Sequence, residues 1–555
     1  MIPVWLSAIA LSNADPQFIY FILVDRYFNG DPSNDIRIDL EDPQAFHGGD
    51  LQGITQKLDS IQTLGADTIW LSPIFEMRTE KFMGHGAFHG YWIQHLDGIE
   101  PAFGGQAALE SLLKETQSRE INVIMDMVYN HVSFDSPMRS AHPDWFHPDK
   151  TIEDWNDPYQ LTHHQVHGLP DFDQTRPPVY KYLFHRSMHW QKLGVDGYRI
   201  DAIRHLDNPF LAQMASDLHQ EVGPQFWLLG EDFQGNPVAL ADRAKQTGLD
   251  ALFDFPMYYG MIDSFCKDAP TERMASLLWM DHSYPDSLQL VTFLDNHDLP
   301  RIMSACQNDS RRVLEALTFQ FSIRGTPMIT YGTEALLVGS EEPYNRADMT
   351  WTGATPAFEW IRSLYAFRQA HAAIHQPNYG QTVHLEPDLW IYESGSHSER
   401  AFIVWNRSES SLNIPSVVPD SEKFVAGIHS NTTLKPVNSR PNQVQPGITV
   451  MVFDTVPDKA SSPVNIVLKH PSTQNKLAIV GSDPALGGWD PVKAPVFEQT
   501  KEGLELHLSL PKYAVLSFKL VQIAEDNSVQ WEEGENRYLW LNEARTYTLP
   551  KIQIY

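Results

Sequence analysis

The fold is decided by one stretch, Gly194-Val195-Asp196-Gly197-Tyr198-Arg199-Ile200-Asp201-Ala202-Ile203-Arg204-His205. Apolar and polar residues alternate over 195–203, the period of a strand, and a period of two sets Arg199 and Asp201 side by side on one face. A carboxylate beside a guanidinium is kept ionised and held in one orientation. That suits a carboxylate nucleophile and equally a structural ion pair at a strand end. The rest of the chain has to decide between the two.

Strand and helix patterns alternate on both sides of this stretch. Apolar runs at 18–24, 67–73 and 121–126 precede it, with helical patterns before the second and at 107–119. Runs at 226–231, 251–255, 288–294 and 326–331 follow it. Eight strand-then-helix units over roughly 350 residues predict an α/β fold, a (β/α)8 TIM barrel spanning 15–375. Polar residues cluster where its strands end: Asp126, Asn130 and His131; Asp201 and His205; Glu231; Asn296, His297 and Asp298. In such a barrel the C-terminal rim carries the active site. The long connection at 132–178 reads as an inserted loop domain. Its His163-His164-Gln165-Val166-His167 run reads as a solvated loop, because zinc needs convergent ligands. An all-β domain is expected at 376–456. A joint between Pro457 and Pro463 then leads to a β-rich segment at 463–555.

Composition narrows the function. The 555 residues carry 70 acidic against 41 basic side chains, a formal charge of -29, which argues against nucleic acid or an anionic membrane as partner. Aromatics at 11% supply a core and also the flat faces on which sugar rings stack. Two cysteines, Cys266 and Cys306, exclude a disulfide framework and a cysteine metal site, and leave one isolated bridge open. Residues 1–14 are apolar with small residues near their end, like the later part of a signal peptide, so a secreted or periplasmic location is expected. A monomer is expected.

Asp201, Glu231 and Asp298 lie at the ends of the fourth, fifth and seventh strands. Carboxylates crowded on one rim perturb each other, so that one stays protonated while another ionises. Retaining glycoside hydrolysis needs that division between nucleophile and acid/base. The same groups could hold Mg²⁺ for enolate or phosphate chemistry. His89, His131 and His297 point instead to hydrogen bonding of sugar hydroxyls. In the loop after the first strand, Asn29, Asp31, Asn34 and Asp35 crowd hard oxygen donors, with Gly48 and Asp50 close behind, a pattern that suits Ca²⁺ or an ion-free Asx turn.

The ordered set of short motifs resembles the α-amylase family, glycoside hydrolase family 13. It comprises Gly65-Ala66-Asp67-Thr68-Ile69-Trp70-Leu71-Ser72-Pro73, Asp126-Met127-Val128-Tyr129-Asn130-His131, Gly197 to His205, Gly230-Glu231, Phe293-Leu294-Asp295-Asn296-His297-Asp298 and Gly325-Thr326-Pro327. The resemblance implies Asp201 as nucleophile, Glu231 as general acid/base, and Asp298 gripping the hydroxyls of the distorted sugar. Arg199 would orient Asp201, and His131 and His297 would bind the cleaved unit. Phe88-His89-Gly90-Tyr91-Trp92 matches the family segment whose His contacts, and whose Tyr stacks beneath, the same sugar. Three residues after that Trp, where the family often has Asp, this chain has His95.

The N-terminal oxygen cluster resembles a calcium site of cyclodextrin glucanotransferases, with Asn29, Asp31, Asn34, Asp35, Gly48 and Asp50 as its positions. A second family calcium site would use Asn130, Asp171 and the His205 carbonyl. The last segment resembles a family 20 starch-binding module, a β-sandwich, through Leu486-Gly487-Gly488-Trp489-Asp490, Phe518-Lys519-Leu520 and Trp531 to Arg537. By that resemblance Trp489 and Trp531 form a sugar platform, with Lys519 and Asn536 supplying hydrogen bonds. The expected activity is calcium-supported endo-hydrolysis of α-1,4 bonds in starch or a related α-glucan polymer. The alternatives are a cyclodextrin-forming transglycosylase, a maltogenic or cyclodextrin-degrading amylase, and a non-catalytic glucan binder. Cyclodextrin-forming chains usually insert an immunoglobulin-like domain before the starch module, and the joint at Pro457 to Pro463 leaves no room for one.

Overall fold

The computed structural model describes residues 15–454 and 463–549, apart from 352, 354, 432, 433, 472 and 474. The expected leader at 1–14 and most of the joint at 457–463 lie outside the described residues.

Eight parallel strands close into a barrel: β1 Ile19–Ile22, β2 Thr68–Leu71, β3 Asn122–Met127, β4 Gly197–Ile200, β5 Trp227–Gly230, β6 Ala251–Phe253, β7 Leu290–Thr292 and β8 Thr326–Thr330. β1 pairs with both β2 and β8, which closes the ring. β1, β2, β4, β5, β6 and β7 are buried throughout, as strands covered by helices outside and a packed core inside must be. Phe21 and Trp70 stack within that core at 3.8 Å between ring centroids. The helix Leu51–Leu64 shows how the sequence marks element ends. The Asp50 carboxylate accepts from the Gly53 amide at 2.6 Å to start it, and Gly65, at φ 105°, stops it.

The opening stretch forms a shorter strand than its alternation predicts. β4 ends at Ile200, and Ala202 turns into the left-handed region at φ 50°. A non-glycine residue there costs about 1–2 kcal/mol. The turn is held by the strand-end carboxylate next door: the amide of Ala202 donates to Glu231 Oε2 (3.1 Å) and that of Ile203 to the Glu231 carbonyl (2.9 Å). Tertiary hydrogen bonds thus outweigh the local strand preference.

The connection from β3 to the helix Pro177–Leu193 consists of short helical turns and isolated bridges, among them His131 with Asp171. A six-stranded sheet follows the barrel, built from Tyr379–Glu386, Leu389–Gly395, Glu399–Asn406, Phe424–Ser430, Leu434–Val437 and Gly447–Asp454. The last segment is a sandwich of two sheets around Ile466, Leu468, Ile479, Leu516, Phe518 and Leu520. Cys266 and Cys306 are joined in a disulfide, the single bridge that the cysteine count left open. No helix among the described residues is long and apolar enough to cross a membrane.

Candidate active site

Register builds the site. Asp126 on β3 and Arg199 on β4 are direct partners, so both side chains enter the barrel mouth from neighbouring strands. Arg199 is fully buried and serves three carboxylates. Its Nη1 donates to Asp126 at 2.9 Å and to Asp201 at 2.7 Å, and its Nη2 lies 2.7 Å from Glu231 Oε1. The last contact is an ion pair without hydrogen-bond alignment, because Nη2 makes no directed bond. Asp126 also accepts from the Trp70 indole (3.1 Å) and the Tyr91 hydroxyl (2.9 Å). It is a fully engaged anchor, and its carboxyl is pushed up to about 7 chiefly by burial, with Arg199 pulling the other way.

The three sequence-predicted carboxylates meet here, and their surroundings differ. Burial raises Glu231 to about 8; Arg199 opposes this, while Asp201 and Asp298 add to it. A carboxyl that holds its proton at neutral pH can donate it to a leaving oxygen. Asp201 carries the well-aligned, charge-assisted hydrogen bond from Arg199, which fixes its orientation. Burial works against the Asp298 charge, and His297, Arg346 and Arg199 together outweigh it, so the carboxyl lies below its ordinary value.

The predicted sugar-contact residues surround these groups. Tyr91 lies parallel to the His297 ring, 5.0 Å between centroids and 4° between planes, and the His89 ring lies 5.9 Å from that of Tyr91. His131 Nε2 is 3.2 Å from the Tyr91 carbonyl. His297 Nε2 is 3.1 Å from Asp298, and burial depresses this imidazole to about 3, so it is neutral at working pH. Burial lowers His89 and His131 as well. Neutral histidines suit uncharged hydroxyls. His95, at the position where an Asp was expected, sits 3.5 Å from Glu76 and 3.9 Å from Asp97.

One member of the site had no signal in the sequence motifs. Arg346, from the segment after β8, donates to Asp298 Oδ1 at 3.0 Å and to the His297 carbonyl at 2.8 Å, and pairs with Glu342 at 2.5 Å. Only the i, i+4 spacing of Glu342 and Arg346 hints at it. Trp70 and Asp126 were visible inside motifs; what sequence reasoning missed is their role as anchors of Arg199 and Tyr91.

A general acid at Glu231 would keep its proton up to about 8, and raising the pH through that value would remove the acid form. The alkaline limb of kcat/KM is expected there, and a pH profile on a soluble maltodextrin checks it. An alkaline limb near the ordinary Glu value would contradict the assignment.

Two oxygen clusters could hold a cation, although no group of three or more His, Cys, Asp or Glu among the described residues is arranged to do so. In the first, the side-chain carbonyls of Asn29 and Asn34 are buried without partners, and the Asn29 amide nitrogen donates to Asp35 at 2.8 Å. Gly48 abuts Asn29 and Asp35 so closely that a Cβ would lie 2.8 Å from the Asn29 amide. The Asp31 carboxylate instead takes the amide and hydroxyl of Ser33. Asp50 accepts from the amides of Gly30, Asp31 and Gly53 and from Asn34, so it braces the loop. In the second cluster the Asn130 side chain faces the His205 carbonyl (3.1 Å) and the Asp171 carboxylate (3.3 Å). Turned nitrogen-first, Asn130 donates to both; turned oxygen-first, three oxygens converge, as a cation demands.

On the last domain, Val480 and Val521 pack Trp489 on the outer face of the sheet formed by Lys476–Gly481, Val515–Ile523 and Val529–Trp531. Val521 pairs with Trp531 and Val480 with Lys519, so Trp489, Trp531 and Lys519 share that face. Trp531 is 40% exposed. Lys519 donates to the carbonyls of Glu532 and Gly534, and Asn536 donates to Ser517 Oγ at 3.3 Å.

The alpha amylase catalytic domain family matches residues 21–411 and the starch binding domain family matches residues 462–549. The chain is 26% identical to the cyclomaltodextrin glucanotransferase of Klebsiella oxytoca, over 95% of this chain and 92% of that one. It is 30% identical to the crystal structure of an Anoxybacillus alpha-amylase, covering 80% of this chain and 99% of that one at TM-score 0.72. CldA, described as a cyclomaltodextrin glucanotransferase with a three-domain ABC distribution, is 26% identical, covering 80% of this chain and all of its own at TM-score 0.70. With its barrel, its rim of three carboxylates and a family match over most of its length, the chain belongs to the alpha-amylase family and ends in a starch-binding domain.

Proposed function

We infer that this glycoside hydrolase is a retaining endo-hydrolase of α-1,4-glucosidic bonds in starch, glycogen and maltodextrins, working by double displacement. The observation that carries the reading is the shared guanidinium of Arg199, which holds Asp201 and Glu231 near each other, beside a Glu231 carboxyl that burial pushes up to about 8. A retaining pair needs such closeness, roughly 5–5.5 Å between carboxyl groups. Glu231 protonates the leaving glycosidic oxygen while Asp201 attacks the anomeric carbon and forms the glycosyl ester. Glu231, now a base, takes a proton from water, which releases the sugar and regenerates both groups. Asp298, steadied by Arg346, takes the hydroxyls of the flattened ring.

The second reading, transfer to a sugar hydroxyl with cyclic products, draws support from the glucanotransferase similarity, which runs through the starch-binding domain. Lack of an immunoglobulin-like domain does not weigh against it, since CldA has only three domains. Chromatography of the products from linear amylose separates the two: linear maltodextrins are expected, and predominantly cyclic products would overturn hydrolysis in favour of transfer.

Both oxygen clusters are proposed to bind Ca²⁺. Support comes from the orphaned carbonyls of Asn29 and Asn34, and from the convergence of Asn130, Asp171 and the His205 carbonyl. Calcium there would tie the first loop to the barrel and the β3 loop to the end of β4, positioning Asp201. Chelation is expected to lower Tm, and added Ca²⁺ to restore it; at a hundredfold excess over Kd the linkage contributes about 2.7 kcal/mol. An unchanged Tm in Asn130→Ala after chelation and refilling would be uninformative, so the test uses the intact chain, where an unmoved Tm refutes the sites. An extracytoplasmic location is likewise proposed, on the support of the apolar start and the Cys266–Cys306 bridge, and N-terminal sequencing of protein recovered from the medium tests it.

A further inference from the structure

The loop after β8 is fastened across the barrel mouth from the acid. Glu231 follows the end of β5, and in a closed ring of eight strands β5 stands opposite β1, the neighbour of β8. The loop is tied to that far side. The Arg346 carbonyl accepts from Arg26 Nη1 at 3.3 Å, and the Met349 amide donates to the Arg26 carbonyl at 2.8 Å, Arg26 lying shortly after β1. From there Arg346 reaches into the site through its bond to Asp298. A glucan whose leaving end lies at Glu231, with its cleaved unit held by Asp298, therefore runs its other end towards this loop.

Two runs of the loop brace each other. A Cβ on Gly339 would collide with the Tyr344 carbonyl oxygen, so the chain at 339 and the chain at 344 meet backbone to backbone. Both are fastened to the segment that follows Asp298. The Gly339 amide donates to Ser304 Oγ at 2.8 Å, its carbonyl accepts from the Arg301 amide at 2.9 Å, and the Asn345 carbonyl accepts from Arg301 Nε at 2.6 Å. Asn345 is buried, and its side-chain nitrogen donates to the carbonyls of His297 (2.9 Å) and Leu299 (3.1 Å). Beside these anchors the loop holds two apolar side chains out to solvent: Tyr344 is 60% exposed and Val338 54%. Among the described residues the Tyr344 ring meets no other aromatic ring, and its hydroxyl makes no hydrogen bond. Apolar surface at the tip of a braced turn gains free energy only from a partner that covers it. A tyrosine offers a flat apolar body with a polar tip, and little torsional freedom is lost when it is covered.

We propose that Tyr344 is a specificity-determining residue for the glycone, the part of the substrate on the far side of the cleaved bond from Glu231. Its ring stacks on a glucosyl unit beyond the one that Asp298 holds, Val338 adds apolar surface from the neighbouring run, and longer chains are favoured over short ones. This rests on the catalytic reading given above, and the test keeps the two failures apart.

The test uses 4-nitrophenyl α-maltooligosides of increasing length. The aryl group occupies the leaving side, so added units extend only the glycone. Release of nitrophenol needs only the first chemical step, which hydrolysis and transfer share. The quantity read is the ratio of kcat/KM between long and short glycosides. It is expected to exceed one in the unaltered chain, to drop about 5- to 10-fold in Tyr344→Ala, the size of one aromatic contact, and to be restored in Tyr344→Phe, which keeps the ring. Tyr344→Asn supplies a second ringless variant should the alanine chain fail to fold. A ratio that the ringless variants leave unchanged overturns the proposal, whether activity falls equally at every length, as a loosened loop would cause, or does not move. A ratio lost in Tyr344→Phe as well overturns stacking. No nitrophenol from the unaltered chain at any length would sink the catalytic reading, and this proposal with it.

Discussion

Asp201→Asn and Glu231→Gln each lower kcat on starch by at least about 10³-fold, a loss of about 4 kcal/mol in transition-state stabilisation. The two losses have different origins, and a substrate that leaves without help separates them. Fluoride departs from α-maltosyl fluoride without a proton, so the first step no longer needs Glu231. In Glu231→Gln the glycosyl ester on Asp201 then forms quickly and waits for a base, visible as a mass increment on the intact protein. Asp201→Asn has no nucleophile to esterify and stays inactive on both substrates. The structural basis is the asymmetry around Arg199: its aligned hydrogen bond goes to Asp201, whereas Glu231 has an unaligned contact and a burial-raised proton affinity of about 8. Equal defects on the fluoride would mean that the two roles are not divided in this way.

Arg199→Met is expected to destabilise the chain by about 3–5 kcal/mol, because it leaves Asp126, Asp201 and Glu231 crowded in a buried space without their cation. The sign of its pH dependence follows. Burial already makes Asp126 and Glu231 hold protons more tightly in the folded chain than at their unfolded values of about 4, and loss of Arg199, which opposes that effect, raises both further. The folded variant then binds protons that the unfolded chain has released, so its stability falls as pH rises above about 4 and recovers as pH falls. Thermal unfolding across pH 5 to 8 measures this as a Tm deficit that widens with pH. A deficit independent of pH would mean that lost packing of the guanidinium, not uncompensated charge, accounts for it. Activity is expected to disappear in the same variant, since Asp201 loses its orienting bond.

The legibility of this chain differs from element to element for physical reasons. Barrel strands were readable because burial on both faces demands continuous apolar runs; seven lie within the stretches that the sequence marks, and β3 runs one residue past its stretch, to Met127. Their ends were less readable. The alternation over 195–203 predicts three strand residues beyond Ile200, where β4 stops, because Ala202 and Ile203 give their amides to Glu231, a partner 29 and 28 positions away. The calcium-like loop shows the same limit. Six oxygen-bearing positions are equivalent in sequence, yet Asp31 and Asp50 spend their carboxylates on local amides and the orphaned oxygens belong to Asn29 and Asn34.

Sequence by itself determined the barrel, through short-range periodicity, and its short motifs, through their resemblance to known families, marked the three carboxylates, Arg199 and the starch-binding domain. Only the tertiary structure decided that Asp126 shares Arg199 with Asp201 and Glu231, that Arg346 reaches back across 48 positions to Asp298, and that the tryptophan platform lies on the face docked against the barrel. Those relations depend on register between strands and on packing between domains. The free energy that sets them is spread over contacts between residues far apart in the chain, where no local pattern records it.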